Sequence, residues 1–178
     1  MSAPRHPIPD AALESDIAIL GKKGRGKSYT ARGIAERLLA RGRRLIVLDP
    51  LSTWWGLAAG EHGYPIAVLG GPHGDMPLAP EDGEALGRHL AGADQSAVLD
   101  LGAMRKGELL RFATAFLEEL YTHNRAPLWL VLEEADVFAP QNPGADTARL
   151  YGEVAGARMI PVTPSDGAAW SLEPVRTA

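Results

Sequence analysis

The eight residues Gly21-Lys22-Lys23-Gly24-Arg25-Gly26-Lys27-Ser28 fit the pattern G-x-x-x-x-G-K-[ST] at every fixed position. Each residue type has a physical reason. Glycines open backbone conformations closed to other residues, so successive N–H groups can curl around a phosphate. A helix beginning at the end of such a turn aims its free N–H groups and positive dipole end at the same anion. Lys27 is placed to reach β- and γ-phosphates, and the Ser28 hydroxyl to ligate Mg²⁺. Given ordinary residue usage, a chance match in a chain of this length is on the order of one in a hundred. Lys22, Lys23 and Arg25 add positive charge; for Lys22 and Lys23 a solvated loop face competes with phosphate contact. Gly21, Lys22, Lys23, Gly24, Arg25, Gly26, Lys27, Ser28 and Tyr29 together form the expected nucleotide-binding set.

The flanks suit the turn. Residues 16–20 read as a short apolar strand. A helix is expected from about 27 to 41, with Ala31, Ile34, Ala35, Leu38 and Leu39 on one stripe. Gly42 supplies a C-terminal stop. Further strands are expected at 45–48, 65–69, 96–101 and 128–132. Helices are expected at 81–90 and at 107–123, the latter striped by Leu109, Phe112, Ala113, Phe116, Leu117 and Leu120. Strands that alternate with helices and are apolar throughout predict an α/β fold, a parallel sheet covered on both faces, with ligands at the strands' C-terminal edge. Residues 1–14 read as a flexible arm. After residue 140 the pattern weakens: 146–154 suits a short helix, and 158–163 suits a strand that Pro161 demotes.

A phosphate loop alone binds; hydrolysis also needs acids on a neighbouring strand. Residues 128–132 are an apolar run, and Glu133 and Glu134 follow it. Glu133 is expected to hold Mg²⁺ through water, and Glu134 to orient the attacking water or accept its proton. With Lys27, Glu134 makes the expected catalytic pair. Asp100 ends another strand and competes for the metal role, at a lower rank because its strand is less apolar and no second acid follows. Asp49 either reaches the nucleotide site or a neighbouring subunit, or caps the turn at Pro50. For Trp54 and Trp55, filling the core beside a long loop ranks above stacking on a base or partner.

Composition bounds the rest. A chain of 178 residues suggests one domain, and 46% hydrophobic with 22% charged residues marks a globular class. The absence of cysteine excludes disulfides and thiolate metal sites. The five histidines are scattered, which offers no zinc site. No secretory leader and no membrane-length apolar run is seen, so no membrane partner is expected and the cytoplasm is the expected location. Residues 1–44 carry ten basic against four acidic side chains, within an overall net charge of −4. Such a basic end can attract phosphates or nucleic acid, but one helix face plus the phosphate loop accounts for much of it.

These segments resemble the HerA/FtsK group of P-loop motor ATPases, in particular the HerA helicase central domain. The resemblance rests on residues 17–30, on Leu45-Ile46-Val47-Leu48-Asp49-Pro50, and on Glu133, Glu134 and Ala135 followed by Phe138 and Pro140. Asp136 stands where that group usually has histidine. The resemblance spans roughly residues 15–140. It implies a RecA-like (ASCE) core with the acidic strand one strand removed from the loop strand. It further implies ATP hydrolysis with Mg²⁺, assembly into a homo-oligomeric ring, and translocation of DNA. A sensor residue and an arginine finger are expected later in the chain. Thr163 is at best a remnant of the first, and Arg149 or Arg158 stands as a candidate for the second. The organisation expected is an arm at 1–14, an ATPase core at 15–140 and a divergent or truncated segment at 141–178. The function expected is a DNA-acting Mg-ATP hydrolase, with a non-hydrolysing nucleotide-binding module or a fragment of such a motor as the alternative. A small-molecule kinase would want an arginine-bearing lid, and a GTPase an Asn-Lys-x-Asp motif; neither is seen.

Overall fold

Residues 8–22, 24–61, 63–138 and 157–164 are described by the computed structural model. Six parallel strands form one sheet: β1 (Ile19–Gly21), β2 (Leu45–Asp49), β3 (Ile66–Leu69), β4 (Ser96–Asp100), β5 (Leu128–Glu133) and β6 (Ala157–Pro164). Their order across the sheet is β1-β6-β5-β2-β4-β3. Every pairing is parallel, so the C-terminal ends of all six strands share one edge. This is an α/β fold, a parallel sheet with helices packed on both faces. The acidic strand β5 stands one strand away from the loop strand β1, with β6 between them.

Period-two alternation splits the strands' apolar side chains between two cores. Ile46, Leu48, Ala97, Leu99, Leu130 and Leu132 face α2 (Gly83–Gly92) and α3 (Lys106–His123). Leu45, Val47, Val98, Trp129 and Val131 face α1 (Lys27–Leu39). The stripe expected on α3 is the buried stripe, residue for residue. On α1, Ala31, Ile34, Ala35 and Leu38 are buried and Leu39 is half-buried. Gly42 takes a φ of 67° just past that helix, the left-handed conformation of a helix stop. Helix α2 approaches α3 closely: a Cβ on Gly87 would lie 2.5 Å from the Phe116 carbonyl oxygen. No helix among the described residues is long and apolar enough to cross a membrane.

Three expectations need correcting. The first strand lies at 19–21 rather than 16–20, because β1 is an edge strand and pairs only where β6 runs beside it. The segment 158–163, demoted on account of Pro161, lies within an interior strand, Ala157–Pro164, between β1 and β5, with Pro161 opposite Leu132. Proline removes one donor, whereas the strand's insertion completes two ladders. The sheet therefore draws on a segment beyond the expected core limit at 140. Finally, residues 8–14 are not an arm. Asp10–Glu14 is a 3₁₀ turn that buries Leu13 in the α1-side core. Asp10 pairs with Arg37 and Arg41, and Glu14 with Arg43. The helix expected at 146–154 and the candidate Arg149 lie outside the described residues.

Candidate functional site

Four of the residues singled out from the sequence end strands at the same sheet edge: Gly21 on β1, Asp49 on β2, Asp100 on β4 and Glu133 on β5. Gly24 and Gly26 have φ of 77° and 78°, values that a side chain would strain. Gly26 occupies the N-cap position of α1, and Lys27 opens the helix. The turn is closed by the Arg25 N–H donating to the Lys22 carbonyl at 3.3 Å and the Thr30 N–H donating to the Gly26 carbonyl at 2.9 Å. Lys22, Gly24, Arg25 and Gly26 are exposed, Lys27 and Ser28 half-buried. The Lys27 stem folds back toward the start of the loop, its Cγ 3.6 Å from where a Cβ on Gly21 would sit. Tyr29 points away, 85% exposed. Lys23 lies outside the described residues.

The loop and the acidic strand meet. The Ser28 hydroxyl donates to Glu133 Oε1 at 2.6 Å. Glu133 is 1% exposed, in the position the apolar run of β5 dictates. Its other oxygen, Oε2, accepts the Trp54 indole N–H at 3.0 Å. Glu134, the next residue, is half-buried and has a φ of 49°, a left-handed backbone that is costly for a residue with a side chain. Such strain persists where the surroundings over-determine it, and it concentrates at functional sites. Thr163, on the strand between, stands in register with Leu20, one residue before the loop opens. An oxygen-only set such as Ser28 and Glu133 suits a hard cation such as Mg²⁺, which takes few protein ligands and draws the rest from phosphates and water.

Asp100 is not brought to this place. Strand β4 is four positions from β1, about 19 Å at ordinary strand spacing. Its Oδ1 accepts the Ser52 hydroxyl at 2.7 Å and the Gly102 N–H at 3.0 Å, so it closes loops and does not compete for the loop's metal. Asp49 is fully buried and accepts N–H groups from Leu51 at 3.0 Å, Thr53 at 2.6 Å and Trp54 at 2.8 Å. Of its two readings, the turn cap is therefore the observed one. Burial pushes the Asp49 carboxyl up from its ordinary pKa, against the pull of those N–H groups, and the neighbouring Asp100 adds to the rise.

Trp54 fills the core as expected, but it also carries a polar role that its sequence position did not reveal. The only sign was its place a few residues past an aspartate at the ligand edge. Arg32, one helical turn after Ser28, lays its guanidinium 5.8 Å from the Trp54 ring centroid and donates to the Thr53 carbonyl. Trp55 is half-buried, packs against the α1-side core and stacks on His73, with ring centroids 4.0 Å apart.

Residues 9–60 match the family described as "Helicase HerA, central domain", which bears out the HerA-like resemblance over that stretch. No curated protein matches the chain significantly. Among solved structures, the chain is similar to the genome packaging NTPase B204 from Sulfolobus turreted icosahedral virus 2. With AMPPCP bound, the match has 17% identity and a TM-score of 0.47, covering 85% of this chain and 66% of that one. With AMP bound, the figures are 18%, 0.45, 85% and 66%. The chain thus spans just under two thirds of the length of those structures.

Proposed function

We propose that this chain binds Mg-ATP in the turn between Gly21 and Ser28 and hydrolyses it, as a motor ATPase acting on DNA. The observation that carries the reading is the 2.6 Å contact between Ser28 and Glu133. It joins a phosphate-binding turn to a buried acid drawn from a distant part of the chain. The match of residues 9–60 to a helicase central domain supports the motor reading.

In this reading the loop N–H groups and the start of α1 cradle the phosphates, and Lys27 holds the β- and γ-oxygens. Ser28 and Glu133 would hold Mg²⁺, Glu133 through water. That ion, when bound, offsets negative charge on the phosphate oxygens. Glu134 orients a water toward the γ-phosphorus. The water oxygen bonds to phosphorus, the bond to the β–γ bridging oxygen breaks, and Glu134 accepts the water's proton. ADP and phosphate are the products. The charge change is spread over oxygens that fixed donors already face, so catalysis is largely electrostatic.

The test is phosphate release from ATP by the purified chain with Mg²⁺, with and without double-stranded DNA. Turnover that DNA raises supports the whole reading. Tight ATP binding without turnover would leave a nucleotide-binding module instead. No ATP binding would overturn it.

A further inference from the structure

Glu133 is held from two sides, and only one of them belongs to the phosphate loop. Its Oε1 meets Ser28 and its Oε2 meets the indole N–H of Trp54, a residue with no exposed surface. A buried carboxylate needs such donors, and each fixes one torsional freedom of the side chain. What places Trp54 is visible too. Asp49 gathers the N–H groups of Leu51, Thr53 and Trp54, which turns the chain after β2 back over the sheet edge. Arg32 of α1 then closes the outer side by binding the Thr53 carbonyl and covering the Trp54 ring. The helix that carries Ser28, the loop after β2 and the end of β5 are thus joined around one acid.

We propose that Trp54 is a positioning residue for Glu133, setting the acid's orientation toward a divalent cation at Ser28. The inference rests on the nucleotide-binding reading above and deepens it. When the Ser28 oxygen turns to a cation, the donor that Glu133 keeps among the described residues is Trp54. Without it the carboxylate would have to be re-ordered at the moment of metal binding. Outer partners that orient a metal-holding side chain typically carry 10- to 100-fold in metal affinity.

The experiment is a Mg²⁺ titration of binding of a fluorescent, non-hydrolysable ATP analogue to the full chain, repeated with EDTA, for the wild type and Trp54→Phe. Phenylalanine keeps an aromatic ring and loses the N–H. The expected result is unchanged affinity in EDTA and a half-saturating Mg²⁺ concentration raised roughly tenfold. A merely structural role would lower affinity equally in both conditions, and that result, or coincident titrations, would overturn the proposal. If the wild type binds no analogue in either condition, the nucleotide reading fails first and takes this inference with it. Should Trp54→Phe not fold, proton NMR of the wild-type indole N–H groups decides. Mg²⁺ added to the analogue-bound chain must shift the Trp54 resonance, and an unmoved resonance overturns the proposal.

Discussion

The Ser28 hydroxyl and the Glu133 carboxylate lie 2.6 Å apart across a sequence separation of 105 residues. The first lies in the opening turn of the helix after the glycine-rich loop; the second ends a strand two positions from the loop strand in the sheet. Nothing local holds them together. The contact follows from the crossover connections that lay α1 over the sheet and from the strand order that puts β5 beneath its N-terminus.

The catalytic assignment is separable from binding. Glu134→Gln keeps the size of the side chain and removes its basicity. ATP turnover should fall on the order of a hundred- to ten-thousandfold, the range of a lost general base, while ATP affinity holds. Steady-state phosphate release beside equilibrium binding checks both halves. Unaltered turnover would remove Glu134 from the chemistry.

The packed N-terminal turn has a thermodynamic signature. Leu13 is 2% exposed, so Leu13→Ala should destabilise the fold by about 2–4 kcal/mol in chemical denaturation. Were residues 8–14 a solvated arm, the change would stay within about 0.5 kcal/mol.

Gly87→Ala separates packing from helix propensity. Alanine is intrinsically the better helix former by about 1 kcal/mol, yet its Cβ would sit 2.5 Å from the Phe116 carbonyl oxygen. Backbone cannot yield as a flexible side chain can, so the variant should be less stable by about 1–3 kcal/mol. A stabilised variant would show that α2 can move off α3 freely.

Asp49 makes stability depend on pH with a definite sign. Burial raises its carboxyl pKa in the folded state, so between the unfolded and folded values the folded chain binds more protons. Stability from this group therefore rises as pH falls through the raised pKa. Asp10 and Glu119, each lowered by an arginine partner, act oppositely. The clean measurement is the stability difference between wild type and Asp49→Asn across pH, in which those other acids cancel. The wild type should gain on the variant as pH falls.

Much of this was legible in the sequence where pattern and chemistry coincide. The stripe on α3 matched because six apolar residues at helical spacing can bury only one face. The glycine-rich turn before α1 and the strand end at Glu133 were legible because glycines mark a turn between strand and helix and because an apolar run that stops at two acids marks a buried strand's end. β6 was not, since a single proline outweighed its neighbours in a local reading while two flanking strands outweigh it in the sheet. Nor was Trp54, because an indole N–H shows its role only once a partner 79 residues away is placed beside it. Asp100 already ranked below Glu133 along the chain, and strand order separates the two in space.

The central claim is that N–H groups of one turn, with one lysine ammonium, hold a polyphosphate. Calorimetric titration of Mg-ATP into the wild type and Lys27→Ala tests it most directly. Loss of a charge-assisted contact of this kind should weaken binding roughly a hundredfold or more, with the thermal unfolding midpoint of the free chain little changed. Equal affinity in the two proteins would contradict the account.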